Sequence, residues 1–411
     1  MSRSILHIDM NNFYASVEAL YNPALRDIPM AVGGDPEARH GIVLAKNYIA
    51  KKFGVQTGEA LWEARKKCPN IVFVSPHFDR YLKFSKLANE IYREYTDQVE
   101  GFGLDENWLD VTGSQIFGSG EAIANELRER VKSELGITAS VGVSFNKIFA
   151  KLGSDMKKPD ATTVITEEDF REKVWPLPAE DLLFVGRATK EKLNGYGIKT
   201  IGEIANMDRQ ILDSWFGKNG LTLWQFANGL DMSPVRLIDT YSPIKSVGNS
   251  TTTPRDLVSD EDIKITLYAL SESVAARLRD GDYLCKTISV SVRYNNLEWF
   301  ERQCKVTYPT CVSDIIAHVA YGLFQHNIMR PYAVRSLGVR ATDLISNTER
   351  QMSFMPTEIK NIKQETIEHA IDKIRNRFGH FSIQRGIMFE DRVLSSLNPK
   401  SDHTIHPIGY R

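Results

Sequence analysis

The apolar run Ile5-Leu6-His7-Ile8 ends on Asp9, and far along the chain a second acidic pair, Asp105-Glu106, follows Gly103-Leu104 and precedes Asn107-Trp108-Leu109-Asp110-Val111-Thr112. Adjacent carboxylates on a regular strand point to opposite faces, so Asp105 and Glu106 serve one site only where the chain bends. Gly103 permits such a bend. Taken alone, the pair reads as solvated turn residues and Asp9 as an acid beside a helix start. Gathered together, the three carboxylates would suit a pair of hard divalent cations, which prefer oxygen ligands and need their charge neutralised.

The surrounding periodicity supplies the elements on either side of these acids. A strand is expected over residues 4–10, then a helix capped by Asn11 or Asn12, whose free amides would lie beside Asp9. Residues 79–95 read as a long helix. Residues 121–135 place Ile123, Leu127, Val131 and Leu135 on one helical face, and 138–144 read as a short strand. Strands alternating with one-faced helices indicate an α+β domain with helices behind a sheet. From 179 to 228 the pattern is helical, with glycine turns at Gly186, Gly195-Tyr196-Gly197 and Gly202. It stops at Asp231-Met232-Ser233-Pro234, the expected linker. Beyond it, a strand around 245–248, a helix over 260–279, strands over 287–294 and 299–306, a helix over 312–327 and a strand over 334–344 make a repeated split β-α-β unit.

At 411 residues the chain is long enough for several domains. Its net charge is −1, so any nucleic-acid contact must come from local basic surfaces. Cys68, Cys285, Cys304 and Cys311 form no C-x-x-C pair, which points to a reduced, cytoplasmic setting without structural zinc. The sequence enters a strand at once and holds no long apolar segment, so neither signal peptide nor membrane span is expected.

Four segments together carry a family resemblance. Asp9-Met10-Asn11-Asn12-Phe13-Tyr14-Ala15-Ser16-Val17-Glu18 resembles the first motif of the Y-family translesion DNA polymerases, and the segment from Leu104 through Asp105-Glu106 to Thr112 resembles the second. Ser144-Phe145-Asn146-Lys147-Ile148-Phe149-Ala150-Lys151-Leu152-Gly153-Ser154-Asp155, continued by Lys157-Lys158-Pro159, resembles a third. Asn47-Tyr48-Ile49-Ala50-Lys51-Lys52-Phe53-Gly54-Val55 resembles the fingers segment. Order and spacing fit as far as about Asp343, and the bacterial DNA polymerase IV (DinB) branch is the most similar.

The resemblance implies a right-hand, α+β multidomain polymerase. Its palm would be 1–10 and 77–166, its fingers 11–76, its helix-hairpin-helix-like thumb 167–232, its linker 233–242, its βαββαβ little finger 243–345, and its tail 346–411. It implies a monomer that extends primer-template DNA with deoxynucleoside triphosphates, at low fidelity and past damage. Asp9, Asp105, Glu106 and the Met10 carbonyl would hold two magnesium ions, manganese being the alternative. Tyr14 would be the steric gate against a 2′-hydroxyl with Phe13 packed below it, and Tyr48, Lys51 and Lys158 would meet the triphosphate. Ile42 and Leu44 would roof the templating base. Ser246, Thr287, Ser289, Ser291, Arg293, Arg335 and Arg340 would line an open sheet face for DNA phosphates. Gln351, Phe354 and Met355 belong to a short segment that resembles a sliding-clamp peptide, followed by a helix over 357–378.

Several positions depart from the family pattern. Asn11 replaces a frequent aspartate, Gly103 a serine, and Ala45 a residue whose hydroxyl helps to hold the triphosphate. Lys51 replaces an arginine and loses its planar fork. Val185-Gly186-Arg187-Ala188 differs from the family's glycine-rich thumb turn, whereas 195–202 fits it better. Two other readings remain: a nucleotidyl cyclase sharing the palm, and a DNA-binding scaffold without activity. The duplex-gripping modules argue against the first, and the intact acidic triad against the second.

Overall fold

The computed structural model describes residues 3–34, 41–238, 240, 243–328, 333–350, 353 and 355–398. The described residues fall into two compact units, one within Met1–Gly34 and Ile42–Tyr241 and one within Ser242–Ile405.

The strands of the first unit are β1 (Ile5–Met10), β2 (Met30–Gly33), β3 (Val43–Lys46), β4 (Val72–Val74), β5 (Val99–Gly101), β6 (Glu106–Asp110), β7 (Ala139–Ser144) and β8 (Thr162–Ile165). Five of them form a sheet in the order β5-β6-β1-β7-β8. All six residues of β1 are buried, which suits the central strand of a sheet covered on both sides. Leu6 and Ile8 face the helices Phe78–Arg93 and Gly120–Leu135, packing with Ala88, Ile91, Ile123 and Leu127. Alternation turns Ile5, His7 and Asp9 to the opposite face. There the helix Lys147–Met156 lies so close that a Cβ at Gly142 would collide with the Ala150 carbonyl oxygen, so only glycine fits on β7 at that crossing.

Asn12 is the N-cap of helix Phe13–Tyr21, but at φ 50° its side chain makes no capping bond. Asn11 does not cap either: its amide donates to Ser140 Oγ at 3.0 Å and its carbonyl oxygen accepts from the Asp160 amide at 2.9 Å. A smaller sheet, β3-β2-β4, packs with helices Tyr48–Lys52 and Leu61–Lys67 around Ala31, Val43, Ala50 and Ala64. Four helices, Arg187–Gly195, Ile201–Asn206, Arg209–Phe216 and Lys218–Ala227, share a core with Ile148, Phe149 and Leu152. That core joins them to the main sheet's helix.

The expected linker is partly strapped down. Val235 is buried with Ile5 and Trp108, the Arg236 amide donates to Glu100 Oε2 at 3.0 Å, and the Ile238 amide to the Asp97 carbonyl at 3.1 Å. Residues to Ile238 therefore belong to the first unit.

In the second unit β9 (Ser246–Leu257), β10 (Tyr283–Tyr294), β11 (Trp299–Thr310) and β12 (Val334–Ser346) form an antiparallel sheet in the order β11-β10-β12-β9. Helices Asp260–Asp280 and Ser313–Asn327 cover the face bearing Ile288, Val290, Leu337 and Val339. Where the sequence suggests a tail from 346, the described residues continue the same unit. Met388 and Leu394 enter its core, and helix Pro356–Phe378 docks through charge, with Arg279 Nε 2.6 Å from Asp372 Oδ2 and a second Arg279 contact to Glu368. Among the described residues no helix is long and apolar enough to cross a membrane, and the four cysteines are free thiols.

Candidate active site

The three acids come from two neighbouring strands. Asp9, near the end of β1, pairs in register with Glu106, the first residue of β6. The chain bends over 102–105: the amides of Phe102 and Gly103 both point to the Glu106 carbonyl, and Met10 N–H donates to the Asp105 carbonyl at 3.1 Å. The bend expected at Gly103 is present, and it brings Asp105 back beside β1.

Asp9 is buried, and Asp105 and Glu106 are half-buried. Burial, then the neighbouring charge of Asp9, pushes the Asp105 carboxyl up to about 6. Burial pushes Glu106 up to about 7, with Lys151 opposing and Asp9 and Asp105 adding. Such mutual repulsion in a desolvated place favours a cation. Among the described residues no three carboxylates, thiols or imidazoles already form a metal cage; two ammonium groups stand there instead. Lys158 Nζ lies 2.5 Å from Asp9 Oδ2 and 2.8 Å from Asp155 Oδ1. Burial works against that ammonium, yet Asp9 and Asp155 hold its pKa above the ordinary range. Lys151 Nζ donates to both Glu106 oxygens at 3.1 Å. An all-oxygen donor set whose charge is balanced by ammonium groups that can swing away fits hard divalent ions in their place.

Behind the acids, His7 is fully buried, with Nδ1 2.8 Å from Ser154 Oγ and Nε2 3.8 Å from Glu106 Oε2. Burial first, then Lys151 and Lys158, hold its pKa well below the imidazole value, so it is neutral. Neither His7 nor Lys151 has a role in the sequence reading. The i, i+4 repeat of Lys147, Lys151 and Asp155 on one helix face was the signal available for Lys151.

The other expected side chains converge on the same corner. Burial, then the Asp105 charge, raises the Tyr14 hydroxyl. Burial raises Tyr48 too, with Lys158 opposing and Asp9 adding. Lys51 Nζ stands 5.5 Å from the Tyr48 ring centroid. Phe13 is buried beside Tyr14, their centroids 5.6 Å apart. A residue missed in the sequence fixes Tyr14: the Tyr81 ring stacks on it at 4.1 Å and 10°. Tyr81 Oη donates to buried Glu18 at 2.7 Å, and Arg80 Nη1 donates to the other Glu18 oxygen at 2.8 Å. Ile42 is half exposed and Leu44 partly buried on β3.

In the second unit Ser289 pairs with Arg340, Ser291 with Gly338, Arg293 with Ser336, Thr287 with Thr342 and Thr342 with Ser246. These rows share the face opposite the helices. Arg335 is outside the rows, at the slip in pairing between Val334 and Ser336. Ser289 and Thr287 are buried, their hydroxyls donating to Glu301 at 3.1 Å and Asp343 at 2.5 Å, which removes them from an exposed phosphate face. Arg340 Nη1 is 3.6 Å from the same Glu301. Gln351 and Phe354 lie outside the described residues, and Met355 is exposed at the start of helix Pro356–Phe378.

The chain is similar to known proteins over most of its length. Residues 8–155 match the impB/mucB/samB family, residues 244–354 the C-terminal domain of that family, and residues 180–231 the thumb domain of DNA polymerase-iota. A DNA polymerase IV of Acetivibrio thermocellus is 54% identical over 399 residues, covering 97% of this chain and all of that protein. A DNA polymerase IV of Clostridium acetobutylicum is 37% identical, covering 95% of this chain and 99% of that protein. A solved Y-family DNA polymerase chimera of Dbh and Dpo4 shares the fold with a TM-score of 0.73 at 23% identity, over 84% of this chain and all of that one. With two curated relatives matched over nearly the whole of both chains, at 54% and 37% identity, and family models matched over residues 8–155 and 244–354, the chain belongs to the Y family of DNA polymerases, on its DNA polymerase IV branch.

Proposed function

We propose that the protein is a translesion DNA polymerase that adds deoxynucleotides to a primer 3′-end. The observation that carries this reading is the meeting of Asp9, Asp105 and Glu106 in a desolvated corner beside Tyr14 and Tyr48. Asp9, Asp105, Glu106 and the Met10 carbonyl would hold two divalent ions, magnesium by preference. Held there, such ions would supply the charge that activates a primer hydroxyl and neutralises a triphosphate.

The side chains supply the rest. Lys158 leaves Asp9 for the triphosphate, and Lys151 orients Glu106 and favours its ionised form until the site is loaded. Tyr14, backed by Tyr81, walls the sugar edge so that a ribose 2′-hydroxyl collides with the ring. Tyr48 and Lys51 orient the phosphate tail. Ile42 and Leu44 narrow the space above the templating base, which favours small lesions over bulky adducts.

The second unit grips DNA through Ser246, Ser291, Arg293 and Arg340, with Arg335 at the edge, by phosphate contacts that carry no base information. The segment holding Gln351, Phe354 and Met355 docks on a sliding clamp and raises local concentration without changing the chemical step. A cytoplasmic setting suits these substrates. Primer extension on undamaged and damaged templates, with Asp105→Asn beside the wild type, tests the reading. Extension by the variant, or cyclic nucleotide as the wild-type product, would refute it.

A further inference from the structure

Most lysines near the catalytic corner have carboxylate partners: Lys147 holds Glu100, Lys151 holds Glu106 and Lys158 holds Asp9. Lys46, at the end of β3, and Lys51 have none among the described residues. Lys46 Nζ donates to Thr57 Oγ1 at 2.9 Å. Among the described residues that hydroxyl accepts this bond and donates none. The Lys46 amine is partly buried, and burial, then the nearby Lys51 charge, lowers its pKa. Glu59, the acid that opposes this, is already bound by Lys67. Two neighbouring ammonium groups, one partly desolvated and neither paired with a carboxylate among the described residues, form an arrangement that an anion relieves.

This segment also lacks two anion-binding features. Ala45 has no hydroxyl, and Lys51 has no guanidinium fork. An ammonium at Lys46 and a hydroxyl at Thr57 supply donors of the same kind from different positions. Alternation along β3 turns Lys46 to the face of Leu44, away from Ala45.

We propose that Lys46, with Lys51 and the Thr57 hydroxyl, forms a phosphate-binding site that takes an oxyanion either from the incoming triphosphate or from the template strand. The neighbouring Lys51 favours the first source and the Leu44 face the second. The proposal rests on the polymerase reading, since both sources are substrates of that reaction.

The test compares full-length wild type, Lys46→Ala and Lys46→Arg in two arms. One arm follows primer-template binding without nucleotide across a salt series. The other measures kcat and KM for a correct deoxynucleoside triphosphate. If the oxyanion is the triphosphate's, Lys46→Ala raises KM about tenfold with kcat and DNA affinity nearly unchanged, and Lys46→Arg restores KM. If it is the template's, Lys46→Ala lowers the slope of log K against log salt by about one and leaves KM alone. Unchanged KM and unchanged slope in Lys46→Ala overturn the proposal. A wild type that neither binds nor extends primer-template DNA would instead fault the polymerase reading.

Discussion

Replacing Asp105 by asparagine should stabilise the metal-free protein while abolishing synthesis. Burial and Asp9 raise the Asp105 carboxyl from its ordinary 3.8 to about 6. The sign follows from linkage: the folded protein binds this proton more tightly than the unfolded chain, so stability falls as pH rises between the two values. Above about pH 7 the whole cost is present, and a shift of roughly two units corresponds to about 3 kcal/mol. Asparagine keeps the shape and removes the charge, and the Met10 bond is to the main-chain carbonyl, so it survives. For a unit of this size the gain should appear as a rise of roughly 5 °C in Tm. The assay is thermal unfolding with a chelator present, from pH 4 to pH 8, for wild type and Asp105→Asn. The difference should be largest at pH 7–8 and shrink steadily as pH falls through the folded value of about 6, leaving only a small remainder at pH 4, just above the unfolded carboxyl's ordinary 3.8. Added magnesium should stabilise the wild type far more than the variant. A variant less stable than wild type in chelator at pH 8, or a gain independent of pH, would refute the electrostatic account of the corner.

The other predictions concern single contacts. Because a steric clash in a packed site is worth about 1–3 kcal/mol, Tyr14→Ala should raise ribonucleotide use by one to two orders of magnitude while deoxynucleotide incorporation survives; single-nucleotide kinetics with unchanged ribose discrimination would place the gate elsewhere. Glu100→Gln removes a nearly buried partner of Lys147 and Arg236 and should cost about 3–5 kcal/mol in denaturant unfolding. A loss under about 1 kcal/mol would show that Lys147 sheds its proton or finds water. Arg279→Met cuts the contacts to Glu368 and Asp372 and should release helix Pro356–Phe378 to limited proteolysis with synthesis on short templates retained. Equal protease resistance would show that the arginine is dispensable for docking.

The central strand and the two helices behind it are readable in the sequence because they rest on local rules, whereas the three acids, which alone read as turn and helix-start residues, are singled out by the family motifs around them. Apolar alternation ends at Asp9, Gly103 allows the bend before Glu106, and the apolar positions of Gly120–Leu135 recur at helical spacing. The motifs then order these pieces along the chain. Asn12 is a partial case: its residue type marks the helix start, but the left-handed backbone turns its side chain away from the free amides.

Other features depend on partners far apart in sequence, which no local pattern reports. Lys151 and Lys158 meet Glu106 and Asp9 only after the helix Lys147–Met156 crosses the sheet at Gly142. Tyr81 meets Tyr14 from another helix, and Ser289 is lost to Glu301 on the adjacent strand. Helix Pro356–Phe378 gives the clearest contrast. Its apolar Ile367 and Phe378 are 60% and 65% exposed, while Glu358 is fully buried and Glu365 and Glu368 nearly so. Apolar periodicity alone would turn this helix the other way. Its orientation follows instead from arginines supplied elsewhere: Arg350 for Glu358 and Glu365, Arg279 for Glu368 and Asp372. The sequence by itself determined the elements, since those follow from neighbours along the chain, and its motifs marked the acids. Only the tertiary structure decided which charges are compensated, because compensation depends on distance in space and on the water that packing excludes.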